Sequence, residues 1–306
     1  MIGFLKRYKS KCFIYSISIL TFILSTNVQA CCITKEQKRD LQIEITRRME
    51  AAGNVGISTY PYTKDCDEAT LAARFEQMSK ERWKVYFTNP EDYGKPGSFG
   101  KFKDDYKTPE HYKIWNSRYS YPMAFSYNLA IPEYNASIVK VPGYTFLAIE
   151  APSSLNKNAF YDLIGQSGIG ALVKLNSPDE YPTEDYFPYW KGWTYCNLFS
   201  YNWPHRSGLD ASTLLNFIKS VQTSKPQGII AVSCRAGAGR TGTFLAGYII
   251  INEIDKQLKS GKTSRDIAIN IDKIVWEISV QRPFAITHSS QYQTLYRLVD
   301  LYLRDK

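Results

Sequence analysis

The sequence predicts an α/β (α+β) fold, a mixed sheet flanked by helices, and three observations lead there. Gly228–Ser233 (GIIAVS) is an uninterrupted apolar run of strand length, as a buried strand requires. Thr241–Leu258 is a long, largely apolar helical stretch, and Ser264–Val280 repeats Ile267, Ile271, Ile274, Val275 and Ile278 at helical spacing. Short β-like runs, Ala136–Val141, Tyr144–Ile149 and Ala171–Leu175, precede these helices.

The elements follow in order. Residues 1–11 are basic (Lys6, Arg7, Lys9, Lys11), Cys12–Leu24 is apolar, and Val28-Gln29-Ala30 fits signal-peptidase cleavage after Ala30. The apolar run is shorter than the ~20 residues of a spanning helix. An exported protein, secreted or periplasmic, with no membrane span in the mature chain is expected. An uncleaved anchor is the competing outcome. Cys31 directly after the site raises a lipid anchor, against which Gln29 is a poor lipobox residue. Residues 31–66 read as an N-terminal helical arm or linker, with a helix over Glu36–Glu50, and residues 67–306 as one catalytic domain opened by a helix over Asp67–Phe87. Asn89–Pro109 is rich in Gly, Pro, Lys and Asp and reads as loop. Asn158–Gly165 is a short helix, Tyr181–Pro204 a Tyr/Trp/Pro-rich loop, Ser212–Val221 a helix capped by Asp210 or Ser212, and His288–Leu303 the closing helix.

Composition narrows the function. At 44% hydrophobic and 22% charged the chain is ordinary globular protein. The formal charge of +9 is partly an N-terminal effect: four of the 38 basic residues and none of the 29 acids lie in residues 1–30, leaving 34 against 29. No basic block of nucleic-acid type remains, so small anionic groups are better partners than a polynucleotide. Six cysteines (Cys12, Cys31, Cys32, Cys66, Cys196, Cys234) are too scattered for a disulfide scaffold. With three histidines, His111, His205 and His288, and no zinc spacing, no metal or other cofactor is expected.

The chemistry concentrates in Cys234-Arg235-Ala236-Gly237-Ala238-Gly239-Arg240-Thr241. An apolar strand ends at Cys234, a small glycine loop follows, and Arg240 opens a helix. Gly237 and Gly239 let backbone N–H groups converge into an anion nest, to which the helix N-terminus adds its positive end. That field favours the thiolate a nucleophile needs. Arg240 can fork onto two oxygens of a tetrahedral anion, and Thr241 can hydrogen-bond the sulfur and ease its departure. The arrangement suits attack on phosphorus in a phosphate monoester. Two other patterns read as structural: the weak glycine match Gly165–Gly170 as a turn, and the sequon Asn135-Ala136-Ser137 as part of a strand start.

The loop resembles the signature loop of the protein tyrosine phosphatase family, and the resemblance extends over about residues 67–306. Asn116-Ser117-Arg118-Tyr119 resembles the element whose tyrosine stacks on the phosphotyrosine ring. Glu133–Ser137 resembles Tyr-Ile-Asn-Ala-Ser, Ala148–Pro152 resembles Ala-Thr-Gln-Gly-Pro, and Phe160-Tyr161 the Phe-Trp that follows. Asn202-Trp203-Pro204-His205 lies where the mobile Trp-Pro-Asp loop belongs, and Ser279–Arg282 and Ser290-Gln291-Tyr292 resemble Arg-x-Gln-Arg and Gln-Thr-x-x-Gln-Tyr. The resemblance implies a single twisted mixed sheet surrounded by helices and a phosphocysteine on Cys234. Residues 235–239 and Gln291 would hold phosphate, and Tyr119 would select an aromatic substrate. Ser233, Thr287 and His205 depart from the pattern. His205 replaces the general-acid Asp; an imidazolium can serve as acid, with Asp210 as the alternative. The expected activity is hydrolysis of phosphotyrosine proteins or another phosphomonoester, at reduced rate. The alternatives are an impaired pseudophosphatase that binds phosphotyrosine, and an inositol phosphate or phosphoinositide phosphatase aided by Arg235 and Lys174.

Overall fold

A computed structural model of the chain describes residues 35–53, 66–89, 91, 93, 103, 124–166, 168–177, 180, 196–304 and 306. The expected signal peptide, Cys31, Cys32, His111 and Tyr119 lie outside the described residues.

Helices α1 (Lys35–Gly53) and α2 (Glu68–Tyr86) come first. Asp67 caps α2, its carboxylate accepting from Thr70 N at 2.8 Å. A 3-10 turn (Ser126–Asn128) leads into β1 (Leu129–Ile131), β2 (Tyr134–Val141) and β3 (Tyr144–Glu150). There follow α3 (Lys157–Gln166), β4 (Ile169–Lys174), β5 (Asn197–Ser200), α4 (Ala211–Thr223), β6 (Ile229–Cys234), α5 (Gly239–Lys259), α6 (Ile271–Ser279) and α7 (Ser289–Arg304).

The strands form one twisted mixed sheet in the order β1-β2-β3-β6-β4-β5. The first two pairings are antiparallel; β3, β6, β4 and β5 run parallel. Alternation along β6 sorts the core. Ile230, Val232 and Cys234 face the side packed by α4, α5, α6 and α7, while Ala231 joins Leu147, Ile149 and Leu172 against Phe160 and Leu163 of α3. Being central and parallel, β6 is covered on both faces, which is why its sequence is apolar without alternation.

Two expectations are corrected. The helix expected over Ser264–Val280 begins only at Ile271. Thr263 and Asp266 close a side-chain turn (Oγ1 to Oδ2, 2.6 Å), and Asn270 caps α6 through Lys273 N at 2.8 Å. The loop expected over Tyr181–Pro204 contains the edge strand β5, which pairs with β4 from Asn197 to Ser200. The sequon is structural, as expected: Asn135 is buried and its Nδ2 donates to Glu150 Oε2 at 2.7 Å.

Candidate active site

Four parallel strands place their C-terminal ends on one edge of the sheet, where open α/β sheets bind ligands. Cys234 ends the central strand. The neighbouring chains hold it on both sides, Ala151 N donating to Cys234 O at 2.9 Å and Leu175 N to the preceding Ser233 O at 2.8 Å.

The five residues after Cys234 turn sharply into α5. Gly237 N donates back to Cys234 O at 3.1 Å. Gly237 has φ +64°, and a Cβ there would lie 2.3 Å from the Ile149 carbonyl carbon, so both conformation and space demand glycine. Arg282, fully buried, grips the loop from behind: Nε donates to Gly237 O at 2.8 Å, Nη2 to Ala236 O at 2.9 Å, and Nη1 to Ser137 Oγ at 3.1 Å. A planar trans peptide sets its N–H opposite its C=O, so the grip on Gly237 O turns Ala238 N–H to the concave side. Ala238, the N-cap of α5, offers no side-chain acceptor, which leaves the first-turn amides for an anion. Burial lowers the Arg282 pKa to about 10, with the Glu150 charge opposing the shift.

Arg240 and Cys234 are each 2% exposed and line one cavity of about 200 Å³. Around it stand Ala236, Ala238, Gly239, His205, Arg206, Thr287, His288 and Gln291. Gln291 is buried; its Oε1 accepts from Thr287 N at 3.0 Å, and both residues crowd Gly239, where a Cβ would meet Thr287 Oγ1 at 2.4 Å. Thr241 Oγ1 is buried and has no hydrogen-bond partner among the described residues, the Cys234 sulfur included. Arg235 is half-buried and, like Lys174, is not one of the lining residues.

Glu180 is the residue that sequence reasoning missed. Its carboxylate, 8% exposed, accepts a fork from Arg240, Nη1 to Oε2 at 2.6 Å and Nη2 to Oε1 at 2.8 Å. The pair keeps a buried guanidinium compensated and fixes its plane. An acid just beyond the end of a predicted parallel strand was the available signal, since such loops meet at the binding edge.

The segment after β5 completes the site. Trp203 is fully buried; its carbonyl accepts from Arg240 Nη1 at 2.6 Å and its Nε1 donates to Ser207 O at 3.1 Å. His205 follows, with Nδ1 3.3 Å from Glu180 Oε1 and 3.4 Å from Arg240 Nη2. Burial, then the Arg240 charge, holds the His205 pKa below the usual imidazole value, with Glu180 opposing. Asp210, the alternative acid, is placed otherwise: it caps α4, accepting from Thr213 N at 3.0 Å and from Ser212 Oγ, and does not line the cavity. The cap hydrogen bonds lower its pKa, so it holds no proton at neutral pH.

Strand end, glycine loop and buried guanidinium together form an arrangement that can receive a tetrahedral oxyanion. Residues 194–300 match the family described as Protein-tyrosine phosphatase. The proteins named Tyrosine-protein phosphatase corkscrew in Drosophila virilis and Drosophila melanogaster are 28% and 30% identical over 43% of this chain. The matches cover 18% and 16% of those proteins. Tyrosine-protein phosphatase 3 of Schizosaccharomyces pombe is 29% identical over 45% of this chain and 61% of its own length. The chain thus spans less than two thirds of each of these relatives.

Proposed function

We propose that the protein hydrolyses phosphotyrosine through a phosphocysteine on Cys234. The observation that carries this is the placement of Cys234 and Arg240, both 2% exposed, on one cavity at the mouth of the amide loop. The phosphate oxygens lie against the loop amides and Arg240. The Cys234 thiolate attacks phosphorus, forming the S–P bond as the P–O bond to the phenol breaks, and the phenolate takes a proton. Water then attacks the phosphocysteine, releasing phosphate and the thiolate. Thr241 Oγ1, without another partner, is available to hydrogen-bond the departing sulfur.

His205 is the proposed proton donor. In the unliganded protein its depressed pKa leaves it neutral at neutral pH. A phosphate dianion in the cavity favours the imidazolium, so the substrate itself recruits the acid. With Nδ1 against Glu180, the other ring nitrogen is left for the leaving oxygen. An acid recruited in this way works only over part of the pH range, which supports a slower enzyme than one carrying a carboxylic acid there.

We also read residues 1–30 as an export signal; the mass of the mature N-terminus from a secreting host tests it. The function is tested by phosphate release from a phosphotyrosine peptide. Wild type should turn over and Cys234→Ser should not. Equal release from the two would overturn the mechanism.

A further inference from the structure

Charge around the cavity is matched at the bottom and unmatched at the mouth. Arg240, at the bottom, is paired with Glu180. Arg206, at the mouth, is exposed, lines the same cavity, and makes no hydrogen bond or ion pair among the described residues. Its backbone is left-handed, φ +58°, which costs a non-glycine residue about 1–2 kcal/mol. The tight turn Pro204–Ser207 maintains it, Ser207 Oγ donating to Pro204 O at 2.8 Å while Trp203 Nε1 holds Ser207 O. A strained residue that carries a cation to the rim of a cavity calls for a functional reading.

His288 is the second member. It lies in the turn that starts α7, where Gln291 N and Tyr292 N donate to its carbonyl, and its half-buried side chain lines the same cavity. Burial first, and then the Arg206 charge, lowers its pKa, so at neutral pH it is an uncharged hydrogen-bonding group beside a fixed cation. His205, the residue before Arg206, is likewise disfavoured as a cation, by burial first and then by the Arg240 charge, with Arg206 adding to it. His205, Arg206 and His288 thus line a cavity with no carboxylate among its described lining residues, and Glu180, which lies behind Arg240, is engaged by that guanidinium.

We propose that Arg206 and His288 form a second anion subsite at the mouth of the cavity, selecting phosphotyrosine peptides that carry another anionic group beside the phosphotyrosine. The exposure of Arg206 against the burial of Arg240 sets the geometry: the scissile phosphate takes the buried guanidinium, and the second anion meets the exposed one a residue or two away along the peptide. The shared chemistry is a carboxylate or a phosphate. The inference rests on the phosphatase reading for its substrate.

The test uses three phosphotyrosine peptides that differ only at the neighbouring position, Ala, Asp or phosphoserine. Turnover is read as kcat/KM with wild type. Affinity is read by fluorescence anisotropy with Cys234→Ser, at low and high ionic strength. The acidic peptides should exceed the Ala peptide by about fivefold in both readouts, as a well-placed exposed ion pair provides. The advantage should shrink at high salt and fall to near one in Arg206→Ala and Arg206→Gln, and part of it should go in His288→Ala. Taking the ratio between peptides removes any general loss from the substitution. Preference for phosphoserine over Asp would assign the subsite to phosphate, and equal preference to anions in general. Turnover without preference overturns the subsite and leaves the phosphatase. Preference in binding without turnover supports the subsite and overturns the phosphatase. An inositol polyphosphate that outcompetes every peptide for Cys234→Ser overturns the peptide assignment.

Discussion

Cys234 and Arg240 share one depth in the cavity but are expected to fail differently. Cys234→Ser removes the attacking sulfur and should lower turnover by about 10³ or more while phosphate still binds. Arg240→Ala should lose both, because it also strands the Glu180 carboxylate in a buried place; isothermal titration with inorganic phosphate separates the two. His205 makes a sharper demand. As the acid it must be protonated, so activity is lost as pH rises through its pKa. The kcat/KM limb belongs to the free protein, where the pKa lies below 6.5. The kcat limb belongs to the phosphate complex and should lie at higher pH. His205→Ala should abolish that separation and slow aryl phosphates with poor leaving groups by about 10²–10⁴, while activated esters change little. Equal slowing of both esters would remove His205 from proton transfer.

Between β6 and α5 the loop is built by residues that touch no substrate. Gly237→Ala must place a side chain at φ +64° against the Ile149 carbonyl, and the left-handed backbone alone costs about 1–2 kcal/mol. Arg282→Met leaves the carbonyls of Ala236 and Gly237 without their buried donor, a change of the kind that costs about 1–3 kcal/mol for each stranded group. Both variants should unfold at lower denaturant and bind phosphate poorly, as urea titration and calorimetry will read. The element from Cys234 to Thr241 was legible because all its signals coincide in eight residues: apolar strand, glycines, arginine, helix. Elsewhere the sequence signal was incomplete. Asn197–Ser200 is a four-residue edge strand, only half-buried at Leu198 and Phe199, and so lacks the apolar run by which strands are recognised. Ile267 extends the isoleucine spacing of α6 backward, but Asn270 prefers to cap, and a capping side chain overrides periodicity. Glu180 carried only its place just beyond a strand end, because its partner is 60 residues away and joined to it only by the sheet topology.

For the molecule as a whole, a ligand that binds the folded cavity stabilises the fold by mass action. Inorganic phosphate at about a hundred times its dissociation constant should add ~2.7 kcal/mol, seen as a rise in Tm that Arg240→Ala lacks. The sheet explains why the effect is global. The cavity gathers β6, the 202–208 segment and the start of α7, each packed into the same core, so an anion there braces elements far apart in the chain. Arg240 Nη1 holds the Trp203 carbonyl as well as Glu180, so a single guanidinium is both the floor under the phosphate and the latch of the segment above it. An anion that draws on Arg240 competes with the Trp203 carbonyl for the same Nη1, so occupancy of the cavity and the hold on the 202–208 segment are coupled through one side chain.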